Sequence, residues 1–371
     1  MRATDSNGRA LPPPEVFTRT DDPQARALLD WRCLDTHIGA FATAAVSDTW
    51  LFLNMDPQSP VALPTMVDWL GKALRAARLA PNQIVIEVLE HRATRTRRFA
   101  DSIARYRDLG CLIAIDDFGA GHSNFDRIRQ LAPEIVKLDR SVVAHAVHNG
   151  RMRSMFEGMV RLLHEAGCLA LAEGIETEDE ALCAMDAGVD LAQGYLLGRP
   201  AAMPQGISQQ RALELCTRAN LRRLGEVASR EQRLRQYIAA FDHAGQLVRT
   251  GLSPVSACRK ILELPAALRC FVLDGDGTQI GANLDAVGAV LDARFRPLAD
   301  TRGASWTRRE YFRRALAEPG KTQISRPYLS LTGARLCITL SIAAESNGGT
   351  QVLCCDVDAG VLGRDGVGNH D

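Results

Sequence analysis

Eight side chains able to bind or move charge sit at the ends of short apolar runs in the first half of the chain: Asn54, Glu87, Asp116, Asp117, Lys137, Glu173, Glu176 and Gln193. Carboxylates gathered at one mouth repel one another unless a cation joins them. Hard divalent ions relieve that repulsion, and Mg2+ or Mn2+ favour oxygen ligands of this kind. The adjacent pair Asp116 and Asp117 suits two ions per site, with one carboxylate bridging them. Two ions about 4 Å apart activate a water and neutralise a phosphate undergoing in-line displacement. Lys137, alone among apolar neighbours in EIVKLD, fits as a charge partner for that phosphate or for nascent hydroxide. Each residue has an ordinary explanation by itself. An Asp before Phe-Gly makes a turn, a strand-end Glu is solvated, and a lone Lys snorkels out of the core. Their recurrence at successive strand ends is what chance does not supply.

The elements that must position them alternate. Apolar runs recur at 49–54, 83–90, 111–116, 134–139, 168–174 and 191–198, with amphipathic segments between them. Segments 62–78, 94–109, 151–167 and 178–187 read as helices, three of them closed by Gly110, Gly167 and the AGVD turn. Strands without polar alternation, separated by helices, imply a parallel sheet buried on both faces. Six of them suggest most of a (β/α)8 barrel, whose active sites form at the C-terminal ends of the strands. Residues 206–245 read as a connecting helix that packs on one side, with Leu213, Leu215, Leu221, Leu224 and Leu234 along it. Residues 246–371 read as a compact α+β domain. FVLDGDGTQIGAN forms two strands around a turn, WTRREYFRRAL a short helix, and 324–343 and 350–359 antiparallel strands. The DGDG turn lacks the spacing of a twelve-residue calcium loop.

Composition sets the outer limits. The 371 residues carry 44 basic and 44 acidic side chains, so nothing pulls the chain as a whole toward DNA or acidic membranes. No helix-turn-helix pattern is present. No apolar run approaches the roughly 18 residues of a membrane span, and the polar N-terminus lacks a signal-peptide core. Ten cysteines without a CxxC pair, most in apolar stretches, read as buried thiols of a cytoplasmic protein. Cys354 and Cys355 are neighbours and cannot easily bridge each other.

IVIEVLE, IAIDDFGAGHSN, IVKLD, LAEGIE and QGYLLGRP, in this order and spacing over residues 1–205, resemble the successive motifs of EAL domains, the cyclic-di-GMP phosphodiesterases. The resemblance implies a modified (β/α)8, TIM-like barrel and metal-dependent hydrolysis of cyclic-di-GMP to linear pGpG. It implies that Asn54, Glu87 and Asp116 ligate one metal and that Asp116, Asp117 and Glu173 serve the second. Lys137 then contacts the attacking water, Glu173 doubles as general base, and Glu176 and Gln193 support them. Glu90 resembles the glutamate that holds the DDFGAG loop, which is tied to homodimerisation. Asp139 resembles the aspartate beside the lysine, and Arg2 an arginine that reaches the substrate phosphate.

Two departures stand out. His122 and Asn124 replace the usual Tyr and Ser of the loop, a mild change. The namesake Glu-Ala-Leu is not in the chain, while MRATDSNGRALPPPEVF resembles the segment just after it. The expectation is an upstream start with Met1 internal, and a weakly active or inactive chain as it stands. Sequencing the DNA 5′ of Met1 tests this, since no in-frame Glu-Ala-Leu codons there would end the idea. Residues 246–371 resemble the PAS/Cache-like domain that follows the EAL domain in YkuI-type bacterial proteins. That resemblance implies a sensory role and a pocket for an unknown small ligand, with Trp306, Arg308, Tyr311, Phe312, Arg326 and Tyr328 as candidate lining. The competing reading is a degenerate EAL domain that binds cyclic-di-GMP or a protein without cutting. A cyclase is disfavoured, because no GGDEF-type motif appears.

Overall fold

The computed structural model describes residues 3–4, 10–11, 15–16, 22–44, 49–54, 63–89, 97–121, 125–201, 209–288, 300–331, 335–346 and 349–362. They form two compact units, 1–221 and 222–371. No helix among the described residues is long and apolar enough to cross a membrane.

In the first unit a two-residue antiparallel pair, β1 (Ala3–Thr4) and β2 (Ala10–Leu11), precedes the main sheet. That sheet is parallel and holds six strands in chain order: β3 (Leu51–Asn54), β4 (Ile84–Leu89), β5 (Leu112–Phe118), β6 (Ile135–Leu138), β7 (Leu169–Ala172) and β8 (Leu191–Ala192). It is the curled parallel part of a TIM-like barrel, and the six apolar runs of the sequence supply its strands. Helices Leu63–Ala77, Arg97–Leu109, Gly150–Glu165 and Glu178–Asp186 match the amphipathic segments. Helices Pro23–Ala44, Phe125–Leu131 and Arg140–His148 complete the described connections.

The two faces of this sheet do different work. Ile84, Ile86, Val88, Ile113, Ile115, Val136, Leu138, Ala170 and Ala172 pack under the helices in the large core. Val85, Ala114, Ile135 and Leu171 face the other way and form a second cluster, with Phe52 and Leu191 against it. Side chains of a strand repeat on one face every two residues. Asn54, Glu87, Asp116, Lys137, Glu173 and Gln193 each stand two residues beyond a member of that second cluster. An apolar layer is thus followed on the same face, toward the C-terminal ends, by a polar one.

Helix Gln209–Arg249 runs four residues beyond its expected end and stops before Gly251, whose φ is 89°. Arg211 and Arg218 in its first third pair with Glu178. Leu215 and Leu234 are buried, whereas Leu213, Leu221 and Leu224 are exposed, so only part of the anticipated leucine set packs. Leu234, Tyr237, Phe241, Ala244 and Val248, spaced three and four apart, belong to the core of the second unit.

The sheet of the second unit is antiparallel. Its order is β10 (Gln279–Asp285), β9 (Ala267–Asp274), β14 (Gly349–Asp358), β13 (Leu336–Ser346) and β11 (Gln323–Ile324), and β12 (Tyr328–Leu329) also pairs with β13. Cys270, Val272, Ile338, Leu340, Leu353 and Cys355 face the long helix. Phe271, Leu273, Val352 and Cys354 face helix Glu310–Ala317. Alternation puts the neighbours Cys354 and Cys355 on opposite faces, which separates their thiols. The DGDG segment is a turn: Asp274 Oδ1 accepts the N–H groups of Asp276 and Thr278 at 3.0 and 2.8 Å.

Candidate active site

Lys137 lies in the middle of β6, and its side chain is 5% exposed. Glu87 Oε1 approaches it to 2.5 Å and Asp116 Oδ1 to 2.7 Å, and Glu173 Oε1 forms a third ion pair with it. The Phe52 ring lies beneath, its centroid 6.0 Å away. Burial alone lowers a lysine pKa. Glu87, Asp116 and Glu173 overcome that and hold Lys137 above the usual range, so it stays charged.

A regular strand sends neighbouring side chains to opposite faces, so Asp116 and Asp117 need a device to point together. β5 provides one. Its register with β6 slips by a residue between Ile115 and Phe118, and Asp117 takes a left-handed backbone with φ 59°. This bulge turns the Asp117 carboxylate to the side of its neighbour. Carboxylate oxygens of Asp116, Asp117 and Glu173 lie within 4.8 Å of one another.

Backbone bonds carry the alignment past the strand ends. Glu173 N–H donates to Leu138 O at 3.0 Å, Gln193 N–H to Ala172 O at 2.8 Å, and Ile175 N–H to Gln193 O at 3.0 Å. Gly194 follows because nothing larger fits: a Cβ there would stand 2.1 Å from Ile175 O and 2.2 Å from its N. Asn54 pairs with Glu87 in register at the end of β3, with its side chain exposed. Gln193 is exposed at the end of β8.

Glu176 and Asp139 sit apart from the carboxylate cluster in their bonding. Both Glu176 oxygens are taken by Arg140, at 2.8 and 2.9 Å. A capping box of Thr177 and Glu180, in which Glu180 Oε2 accepts the Glu176 N–H at 2.8 Å, fixes the backbone there. Asp139 caps helix Arg140–His148 by accepting the Ser141 N–H at 2.9 Å. Arg2 and Glu90 lie outside the described residues. Sequence reasoning missed Arg140. The only local hint of its position is Gly174, φ 66°, where a Cβ would meet the Arg140 stem at 2.6 Å.

Glu87, Asp116, Asp117 and Glu173, set against one ammonium, leave three negative charges when all are ionised. Burial raises the Glu173 carboxyl to about 7, opposed by Lys137 and reinforced by Asp116 and Glu87. Burial likewise raises Glu87. This donor set fits a divalent cation. Oxygens on opposite sides of such an ion stand about 4–5 Å apart, given metal–oxygen distances of about 2.0–2.6 Å. Asp116, Asp117 and Glu173 meet that span, and a neighbouring cation relieves the excess charge.

The raised Glu173 carboxyl has a measurable consequence in the cation-free chain. The folded state keeps a proton that the unfolded state releases near the ordinary value of 4.5. Its stabilising contribution is complete below that value and is lost as pH rises through about 7. After chelation, the chain should lose about 1–3 kcal/mol more stability than Glu173→Gln between about pH 5 and about pH 8. Urea unfolding of both proteins checks this, and parallel pH profiles would refute it.

The EAL domain family matches residues 1–200. RocR, a cyclic di-GMP phosphodiesterase of Pseudomonas aeruginosa, is 29% identical over 168 residues, 45% of this chain and 41% of RocR. The chain spans between 17% and 41% of the length of the curated relatives it matches. The Bacillus subtilis YkuI protein, solved with substrate c-di-GMP and calcium, shares the fold with a TM-score of 0.80 at 20% identity, over 96% of this chain and 90% of that one. Klebsiella pneumoniae BlrP1, solved as a manganese/cy-diGMP complex at pH 6, is 29% identical with a TM-score of 0.50, over 55% of this chain and 52% of that one. A match over more than half of the residues, on a sheet that gathers Glu87, Asp116, Lys137 and Glu173 at one rim, shows that the chain belongs to the EAL domain family.

Proposed function

We propose that the chain hydrolyses one phosphodiester of cyclic-di-GMP, releasing linear pGpG, with Mg2+ or Mn2+ as cofactor. The observation that carries this reading is the convergence of Glu87, Asp116 and Glu173 on the Lys137 ammonium, with Asp117 turned in beside them. The complexes of YkuI and BlrP1 with the dinucleotide and divalent cations support it.

Asp116, Asp117 and Glu173 are the residues to hold one cation, and Asn54 and Glu87 extend the set toward a second through Asp116. Such ions, when bound, supply an activated water and neutralise the phosphate under attack. Glu173 is the group to accept the water's proton. Lys137 stays protonated and draws the three carboxylates to one point. Arg140 fixes Glu176, and the bonds of Gln193 to Ala172 and Ile175 fix the last strand end. Arg2 and Asp139 are proposed on the substrate side, and Glu90 at the loop. The second unit is proposed to regulate hydrolysis through helix Gln209–Arg249, whose residues belong to both units.

The test is chromatographic detection of pGpG from cyclic-di-GMP with Mn2+, with and without EDTA. Slow release that EDTA stops is expected. Binding of cyclic-di-GMP with no release at any Mn2+ concentration would replace the hydrolase by a binding module.

A further inference from the structure

The two cation seats proposed above are unequal, and Lys137 is what separates them. Asp116, Asp117 and Glu173 offer three carboxylates, with oxygens within 4.8 Å of one another. The other seat, of Asn54, Glu87 and Asp116, has two carboxylates and a neutral amide. Both of those carboxylates already give an oxygen to the Lys137 ammonium, Glu87 Oε1 at 2.5 Å and Asp116 Oδ1 at 2.7 Å. A cation seated there shares its ligands with a full positive charge. The ammonium has little room to step aside. Its side chain is buried, the Phe52 ring lies beneath it, and Glu173 holds it from a third direction. Withdrawing it would leave three buried carboxylates without their counter-charge, which is strongly unfavourable.

Charge then decides how many ions the rim accepts. Among the described residues, Glu87, Asp116, Asp117 and Glu173 set against Lys137 leave three negative charges when all are ionised. One divalent ion leaves a single negative charge. A second carries the rim past neutrality to one positive charge, and in a poorly solvated site cations held close together repel strongly. The single negative charge of a phosphodiester restores the balance. Ions of this class are commonly held by one or two carboxylates together with a substrate phosphate, which is what the Asn54, Glu87 and Asp116 seat can offer. With Lys137 neutral the same count closes without any phosphate, since four carboxylates balance two ions.

We propose that Lys137 is a built-in counter-ion that admits one divalent cation to the resting rim and leaves the Asn54, Glu87 and Asp116 seat to fill only together with the phosphodiester. This role presupposes the two cation seats of the proposed function, but not turnover. The experiment counts bound Mn2+ by electron paramagnetic resonance as the full chain, freed of metal with EDTA and exchanged into buffer, is titrated with MnCl2. It is run alone and with a hydrolysis-resistant phosphorothioate of cyclic-di-GMP. Wild type alone should hold one ion, with a second binding at least about tenfold more weakly. The phosphorothioate should tighten that second ion at least about tenfold. Lys137→Met should hold two ions without nucleotide, and Lys137→Arg, which keeps the charge, should return to one. Two equivalent ions on wild type alone, or a second ion no tighter in Lys137→Met, would overturn the role. If Lys137→Met does not fold, the two wild-type titrations decide. Release of pGpG is read separately: a chain that shows these counts without cutting keeps the counter-ion and loses the hydrolase, and a cutting chain with two equivalent ions does the reverse. No saturable Mn2+ binding up to about 10 mM would overturn both.

Discussion

Glu173→Gln should lower the rate of pGpG release by roughly a hundred- to ten-thousand-fold. The change keeps size and hydrogen-bonding shape but removes the negative charge and the proton-accepting oxygen. Three functions fail together: the ion pair to Lys137, the third member of the Asp116–Asp117 carboxylate set, and the proposed acceptor of the water's proton. The loss should fall on kcat more than on KM, because a group that acts in the chemical step contributes to the transition state rather than to uniform substrate binding. The fold should survive, since Glu87 and Asp116 still hold Lys137. Product chromatography at saturating Mn2+ settles the matter, and equal rates would remove Glu173 from the chemistry.

The second large effect concerns stability. Arg269→Met should destabilise the second unit by about 3–5 kcal/mol, because it leaves Asp356 buried without its cation. Asp356 and Arg269 are each about 5% exposed at the side chain. Burial already raises the Asp356 carboxyl, with Arg269 pulling the other way. Once Arg269 is gone, the carboxyl takes up a proton, and this limits the damage. Combining Arg269→Met with Asp356→Asn should therefore recover at least half of the loss. Urea unfolding of the single and double variants provides the cycle. A single-variant cost below about 1 kcal/mol would show that the pair is not a buried charge pair of ordinary strength.

Much of the barrel was legible because a parallel strand buried on both faces has to be a continuous apolar run. That is why IVIEV and IVKL stand out, and why each run delivers its polar residue to the rim. Helices Phe125–Leu131 and Arg140–His148 were not legible. They are too short for periodicity to declare itself, and Arg140–His148 depends on the Asp139 cap. At the site, the residue types were readable, but the turn of Asp117 toward Asp116 was not. It rests on a bulge that exists only when β5 meets β6. Arg140 and Glu176 are 36 positions apart, and nothing local announces their pairing. In the second unit, Arg269 and Asp356 were hidden inside apolar strand runs, and their partnership is created by sheet register alone. Arg308 was anticipated beside Trp306 and Tyr328, but it is exposed and Arg309 lies over those rings, because one residue's difference in extended backbone at a helix entrance reverses the direction of a side chain.

The left-handed Asp117 places two demands in opposition. Glycine or asparagine relaxes into that backbone more easily than aspartate, so either substitution would ease folding while deleting a carboxylate. Laboratory evolution for heat tolerance, scored on survival of the fold alone, would be drawn to this position and would enrich inert proteins. Any thermostabilised descendant of this chain therefore has to be selected on turnover as well as on melting temperature.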